Sequence, residues 1–166
     1  MATQITSIHS SYYEKLTEHM FLSDILQIAW FNGQHQIEIS RSEIDNSGFD
    51  LILECNRVIR HIQLKSSAKK RSGCLAVNMK LEEKPAGCII LIIRNETSDN
   101  KFDLKYQFFG SKKDSKLPSL ENYQFAKHSR GNKDGVKNIR PHIKNVPVKD
   151  FVPIGNRELL HVLFGI

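Results

Sequence analysis

Two segments, Gly48-Phe49-Asp50-Leu51-Ile52-Leu53 and His61-Ile62-Gln63-Leu64-Lys65-Ser66-Ser67, decide how this chain is read. Leu51 to Leu53 reads as a short apolar strand and Val58 to Lys65 as a second. Cys55-Asn56-Arg57 lies between them. A turn closed on Asn56 and Arg57 pairs Cys55 with Val58, Leu53 with Arg60 and Asp50 with Gln63. A turn one residue longer would shift every pair, and Asn-Arg is not a strong turn dipeptide. Opposed residues share a face of the sheet, with Cβ atoms about 5 Å apart. Alternation with period two adds Lys65 to that face and turns Leu64 away from it. The expected result is a carboxylate, an amide carbonyl and an ammonium group side by side. Such a set suits a divalent metal with a positive charge next to it, as phosphodiester cleavage requires.

The Asp50…Gln63-x-Lys65 pattern follows an acidic, glycine-bearing lead-in, Glu43-Ile44-Asp45-Asn46-Ser47-Gly48-Phe49. Together they resemble the PD-(D/E)XK nuclease superfamily, the restriction-endonuclease-like fold, over about residues 14–67. The resemblance implies that Asp50 is a ligand of magnesium, with manganese as a substitute. It puts Gln63 in the second-ligand position and makes Lys65 the group that positions or activates the attacking water. Gln63 departs from the pattern, since most members carry Glu or Asp there. A Gln-x-Lys version resembles the methylated-DNA restriction branch. An amide oxygen brings no charge, and a hard cation prefers anionic oxygen, so a further carboxylate is expected to compensate.

That carboxylate is sought upstream. Ser11 to Phe31 reads as one long amphipathic helix, with Leu22, Ile25, Leu26 and Ala29 as its buried stripe. Four residues before Leu22 stands Glu18, and four before that Glu14. Glu18 falls at the edge of the apolar face, where an unpaired carboxylate is costly. Some members of the superfamily carry a metal-linked Glu on such a helix, which makes Glu18 the first candidate and Glu14 the second. The competing reading is that Glu18 pairs with Lys15 or another nearby cation. Glu43 and Asp45 are further candidates, although solvated loop acids are the commoner case. His61 points to the Gln63/Lys65 face, where it could touch a phosphate or, as the commoner case, serve a structural role behind the site.

Charge is distributed unevenly. Residues 101–150 hold 12 Lys and Arg against 5 Asp and Glu, a net of +7, while the whole chain carries +6. A basic segment is the electrostatic footprint of a polyanion binder, or else a solvated surface kept soluble by charge. Within it, residues 128–138 form the expected contact loop. Arg130, Lys133 and Lys137 supply charge there, and Gly131 and Gly135 let backbone N–H groups approach a phosphate. Lys69, Lys70 and Arg71 form a second basic cluster directly after the motif. No GxxxxGK[ST] nucleotide loop and no GxSxG motif occur.

The 166 residues form one expected domain. Residues 1–100 would be its catalytic core, 101–150 a basic strand and loop region, and 151–166 a C-terminal helix packed on the core. Strands are expected at His35–Ile39, Leu75–Met79, Gly87–Arg94 and Asp103–Phe109. Gly87–Arg94 is apolar on both faces, as a central strand covered by helices would be. Leu120–Lys127 is read as a short helix, Pro141 and Pro147 as breaks, and Val146–Val152 as a short extended segment. Asn156 is expected to cap a last helix over Arg157–Phe164. The fold class is therefore α/β: a restriction-endonuclease-like core with a mixed central sheet flanked by helices and a long N-terminal helix. Three cysteines without paired spacing and no secretory leader fit a reducing cytoplasm, and no stretch is long enough to span a bilayer. The expected activity is magnesium-dependent cleavage of DNA, of restriction, defence or repair type. A symmetric homodimer would be the simplest way to cut both strands. The alternative is a nuclease fold without catalysis, acting as a nucleic-acid-binding or assembly module.

Overall fold

The computed structural model describes residues 9–43, 47–68, 72–131, 133 and 135–166. Helix α1 spans Ser10–Phe31. Thr17, Glu18, Phe21, Leu22, Ile25 and Ala29 recur at three- and four-residue spacing and form its buried stripe. Leu26 does not belong to it, at 46% exposed, and Phe21 takes that role instead. The helix has no side-chain cap at His9 and no acidic residue in its first turn. Packing of that stripe on the sheet, rather than end effects, therefore holds it. It ends at Asn32 and Gly33, where Gly33 adopts φ of 69°, the left-handed conformation that closes many helices.

Among the described residues nine strands follow: β1 Ile37–Arg41, β2 Leu51–Cys55, β3 Val58–Ser67, β4 Cys74–Asn78, β5 Gly87–Glu96, β6 Phe102–Gly110, β7 Phe125–Lys127, β8 Ile139–Pro147 and β9 Val152–Ile154. Six of them form a mixed central sheet in the order β1-β2-β3-β5-β6-β9, and β4-β8-β7 form a second sheet. In the central sheet β3 and β5 run parallel and the other pairs antiparallel. A short helix, α2 (Leu159–Phe164), ends the chain.

Two cores lie on the two faces of the central sheet. On one face Phe21, Leu22 and Ile25 of α1 and Leu159, Leu160, Leu163 and Phe164 of α2 meet Leu51, Leu53, Ile62, Ile90 and Ile92. On the other, Ile89, Leu91 and Ile93 meet Leu75, Val77, Val146 and Phe151. The continuous apolar run of β5 is thus buried on both sides, as expected. Helices cover one side only, and the three-stranded sheet covers the other.

Three expectations about the second half are corrected. Leu120–Lys127 is not a helix: residues 121–123 turn and Phe125–Lys127 pair with β8. Pro141 does not break the chain but sits inside β8. β4 pairs only with Ile143–Pro147, and the β7 pairing slips between Phe125 and Lys127. Pro141 therefore falls where ladder hydrogen bonds are already missing, the one interior place a strand tolerates it. At the last helix Asn156 is no cap. Residues Asn156–Glu158 form a 3-10 turn, and Glu158 Oε2 accepts from the Gly155 N–H at 2.6 Å.

Candidate active site

The β2–β3 hairpin has the expected register: Cys55 faces Val58, Leu53 faces Arg60 and Leu51 faces Ile62. Asn56 and Arg57 close it with φ of 50° and 66°, the two positive values that a tight hairpin turn demands. Asp50 stands one step past the last pair. Its N–H donates to the Ile62 carbonyl at 2.9 Å, and its Oδ2 accepts from the Leu64 N–H at 2.6 Å. The carboxylate is thereby tied to the strand that carries Gln63 and Lys65.

β2 begins at Leu51, whereas β3 continues to Ser67. Beyond Ile62, β3 keeps its parallel partner β5 but has lost β2. A cleft of about 510 Å³ opens there. Glu14, Glu18, Glu43, Asp50, Gln63, Lys65 and Ser66 all line it. The approach is shaped by Gly48, whose φ is 79° and where a Cβ would stand 3.1 Å from the Leu81 nitrogen. A side chain there would crowd Asn78 at the end of β4 and the 3-10 turn Met79–Glu83 that follows it.

Gln63 is 8% exposed, and its Oε1 is buried with no hydrogen-bond partner among the described residues. An orphaned amide oxygen is a standing deficit in a folded protein. Here it lies in the wall of a polar cleft beside a carboxylate. These are hard oxygen donors of the kind magnesium accepts, and that ion keeps several waters and needs only one or two carboxylates. The residues present therefore fit magnesium through Asp50 and Gln63. Among the described residues, no group of three or more His, Cys, Asp or Glu side chains is placed to hold a metal.

Glu18 is engaged elsewhere. Its Oε2 takes the Lys15 Nζ at 2.8 Å and its Oε1 the Arg41 Nε at 2.7 Å. Burial alone would push its carboxyl up. The hydrogen bonds and charges of Lys15 and Arg41 outweigh that and hold it below the ordinary carboxylate value. Glu18 thus lines the cleft as an ion-paired anchor between α1 and β1, which is the competing reading of its position in the sequence. Arg41 was not legible beforehand. It ends β1 opposite Leu51, so the register that brings Asp50 into the cleft brings Arg41 there too.

His61 stays outside the cleft lining. Its Nδ1 meets the Pro85 carbonyl at 2.8 Å, and its ring stands edge-on to Phe49 at 4.9 Å. Arg130, Lys133 and Lys137 are exposed on the loop between β7 and β8, which the His128 N–H closes on the Asn138 carbonyl. They do not line the cleft. Lys144, also in the basic stretch, is buried, donating to the Glu121 and Tyr123 carbonyls and lying 3.7 Å from the Phe125 ring centroid. Asp45, Lys69, Lys70 and Arg71 lie outside the described residues. Among the described residues, no helix is long and apolar enough to cross a membrane.

No family model, curated protein or solved structure matches this chain.

Proposed function

We propose that this cleft hydrolyses phosphodiester bonds of DNA with a magnesium ion, on a restriction-endonuclease-like core serving restriction, defence or repair. One observation carries the reading: the orphaned Gln63 oxygen, the Asp50 carboxylate and the Lys65 side chain line a single cleft where β3 outruns its neighbour. Asp50 and Gln63 would hold the ion, which when bound supplies Lewis-acid neutralisation of charge on the phosphate. Asp50 is oriented by the Leu64 N–H, so ligand and strand move together. Lys65, two residues beyond Gln63, directs its ammonium group toward the attacking water and stabilises the charge that grows on the phosphate oxygens. A symmetric pair of chains would present two such clefts to the two strands of a duplex.

A binding or assembly module without catalysis is the second reading, and two observations favour it. Gln63 brings no charge, and both oxygens of Glu18 are already taken. A magnesium-supplemented cleavage assay on linear, circular and branched DNA, with Asp50→Ala and Lys65→Ala, decides between them. Cleavage by the parent chain that both variants lose supports the enzyme. Equal cleavage by all three chains, or none by the parent, refutes it.

A further inference from the structure

We propose that Arg41 is a phosphate-binding fork for a polynucleotide backbone, aimed into the cleft by the buried Glu18. This rests on the cleft being a nucleic-acid site, and not on its metal chemistry. Arg41 is 45% exposed, whereas the Glu18 side chain it meets is 8% exposed. Its hydrogen bond among the described residues is the single one from Nε to Glu18 Oε1. A side-on contact through Nε orients the guanidinium and leaves its end edge, Nη1 and Nη2, as a parallel pair of donors. That pair matches two oxygens of one phosphate, a geometry an ammonium group cannot reproduce.

Glu18 offers one negative charge to two cations, Lys15 and Arg41, so that trio is positive. Glu14, Glu43 and Asp50 also line the cleft, and the guanidinium fork rather than net charge would select a phosphate. Arg41, Lys15 and Lys65 all line the same cleft as Asp50. A phosphate bound at Arg41 would thus share the cleft with the scissile one. A duplex gripped here would make a salt-sensitive contact, because each neutralised phosphate releases counterions. Glu18 is then a positioning residue: it holds the fork and touches no phosphate itself.

The test is fluorescence anisotropy of a labelled DNA duplex with the full chain, in a chelator that prevents cleavage, over a series of salt concentrations. Arg41→Ala is expected to weaken binding about tenfold or more and to flatten the slope of log affinity against log salt by about one. Arg41→Lys should recover the slope but not the full affinity, since charge returns and the fork does not. Glu18→Gln should keep the slope and lose affinity, because the charge remains and its aim is lost. Thermal melting checks folding, and if Arg41→Ala fails to fold, the affinity gap between Arg41→Lys and the parent decides. Unchanged affinity and slope in Arg41→Ala would overturn the proposal, as would a parent chain with no salt-sensitive DNA affinity. Saturable binding of inorganic phosphate alone, lost in Arg41→Ala, would also overturn it, by marking a small-anion site. A parent that binds through Arg41 yet never cleaves sinks the nuclease reading and leaves this one standing. Cleavage lost in Lys65→Ala beside normal binding by Arg41→Ala does the reverse.

Discussion

The two halves of β3 are built from the same kind of sequence and do opposite work. From Val58 to Ile62 the strand has β2 on one edge, and every second residue is buried. Arg60, 0% exposed, donates through Nη1 and Nη2 to the carbonyls of Lys112 and Ser111 and lies 5.6 Å from the Phe108 ring centroid, while its Nε has no partner among the described residues. From Gln63 to Ser67 β2 is gone, residues 63–66 line a cleft, and Gln63 keeps a buried oxygen without a partner among the described residues. Each half thus keeps one buried polar atom without a partner, but Gln63 lines the cleft and Arg60 does not, and unspent polarity in a cleft is where binding or chemistry is sought.

Mutations in the two halves should therefore separate activity from stability. The largest expected effect is on the open half. Asp50→Ala and Lys65→Ala should each lower magnesium-dependent cleavage by about a thousandfold or more, with melting temperatures close to the parent's. In the closed half, Arg60→Ala removes a fully buried side chain and strips donors from two carbonyls. A loss of about 3 kcal/mol is expected, or roughly 6–12 °C in melting temperature for a chain of this size. Chains still folded at low temperature should cleave normally. The contrast breaks if Arg60→Ala melts like the parent, or if Lys65→Ala is the variant that unfolds.

A smaller effect comes from Glu18, which ties the open end to α1. Its carboxyl is held below the ordinary value of 4.5 in the folded chain. A depressed folded value means that ionised Glu18 stabilises the fold at neutral pH. That contribution is lost as pH falls from 4.5 through the folded value. Urea unfolding followed from neutral pH into that acid range should show the decline. Glu18→Gln should start less stable at neutral pH and lose less on acidification. Parallel curves for the two chains would remove Glu18 from the account.

Much of the hairpin was legible because its physics is local. Strand period, a two-residue connection and an apolar run fix a register, and the register sets Asp50 next to Gln63 before any tertiary contact is known. A continuous apolar run located β5, and alternation β6, to within two residues at each end. What was hidden depended on distant partners. Glu18 could be read as a ligand or as half of an ion pair, and only the fold brings Arg41 to it from 23 residues away. Pro141 read as a break because its tolerance depends on a slipped pairing with β7, which no local signal encodes. Leu120–Lys127 took an extended course because Phe125 and Lys127 pair with β8, and tertiary pairing overrides weak helical preference in so short a segment. The cover on the second face of β5 was misjudged for a related reason. An apolar strand records that it is buried, not whether a helix or a sheet buries it.

The smallest effect sharpens the same division from the closed end. Arg57 holds φ of 66° in the hairpin turn, a conformation in which its Cβ crowds the backbone. Arg57→Gly removes that strain but gives the unfolded chain more freedom to lose. Relief should exceed the entropic loss where both turn residues need positive φ, leaving a gain of about 0.5 kcal/mol. The turn is also exposed and lies at the far end of the hairpin from Asp50 and Gln63, so cleavage and DNA affinity should not move. A denaturant midpoint that rises with unchanged activity places the turn with the structural half of the strand. A fall in midpoint would show that Arg57 contributes a contact worth more than its strain, and a fall in DNA affinity would extend the binding surface to the end of the hairpin that the comparison assigns to structure alone.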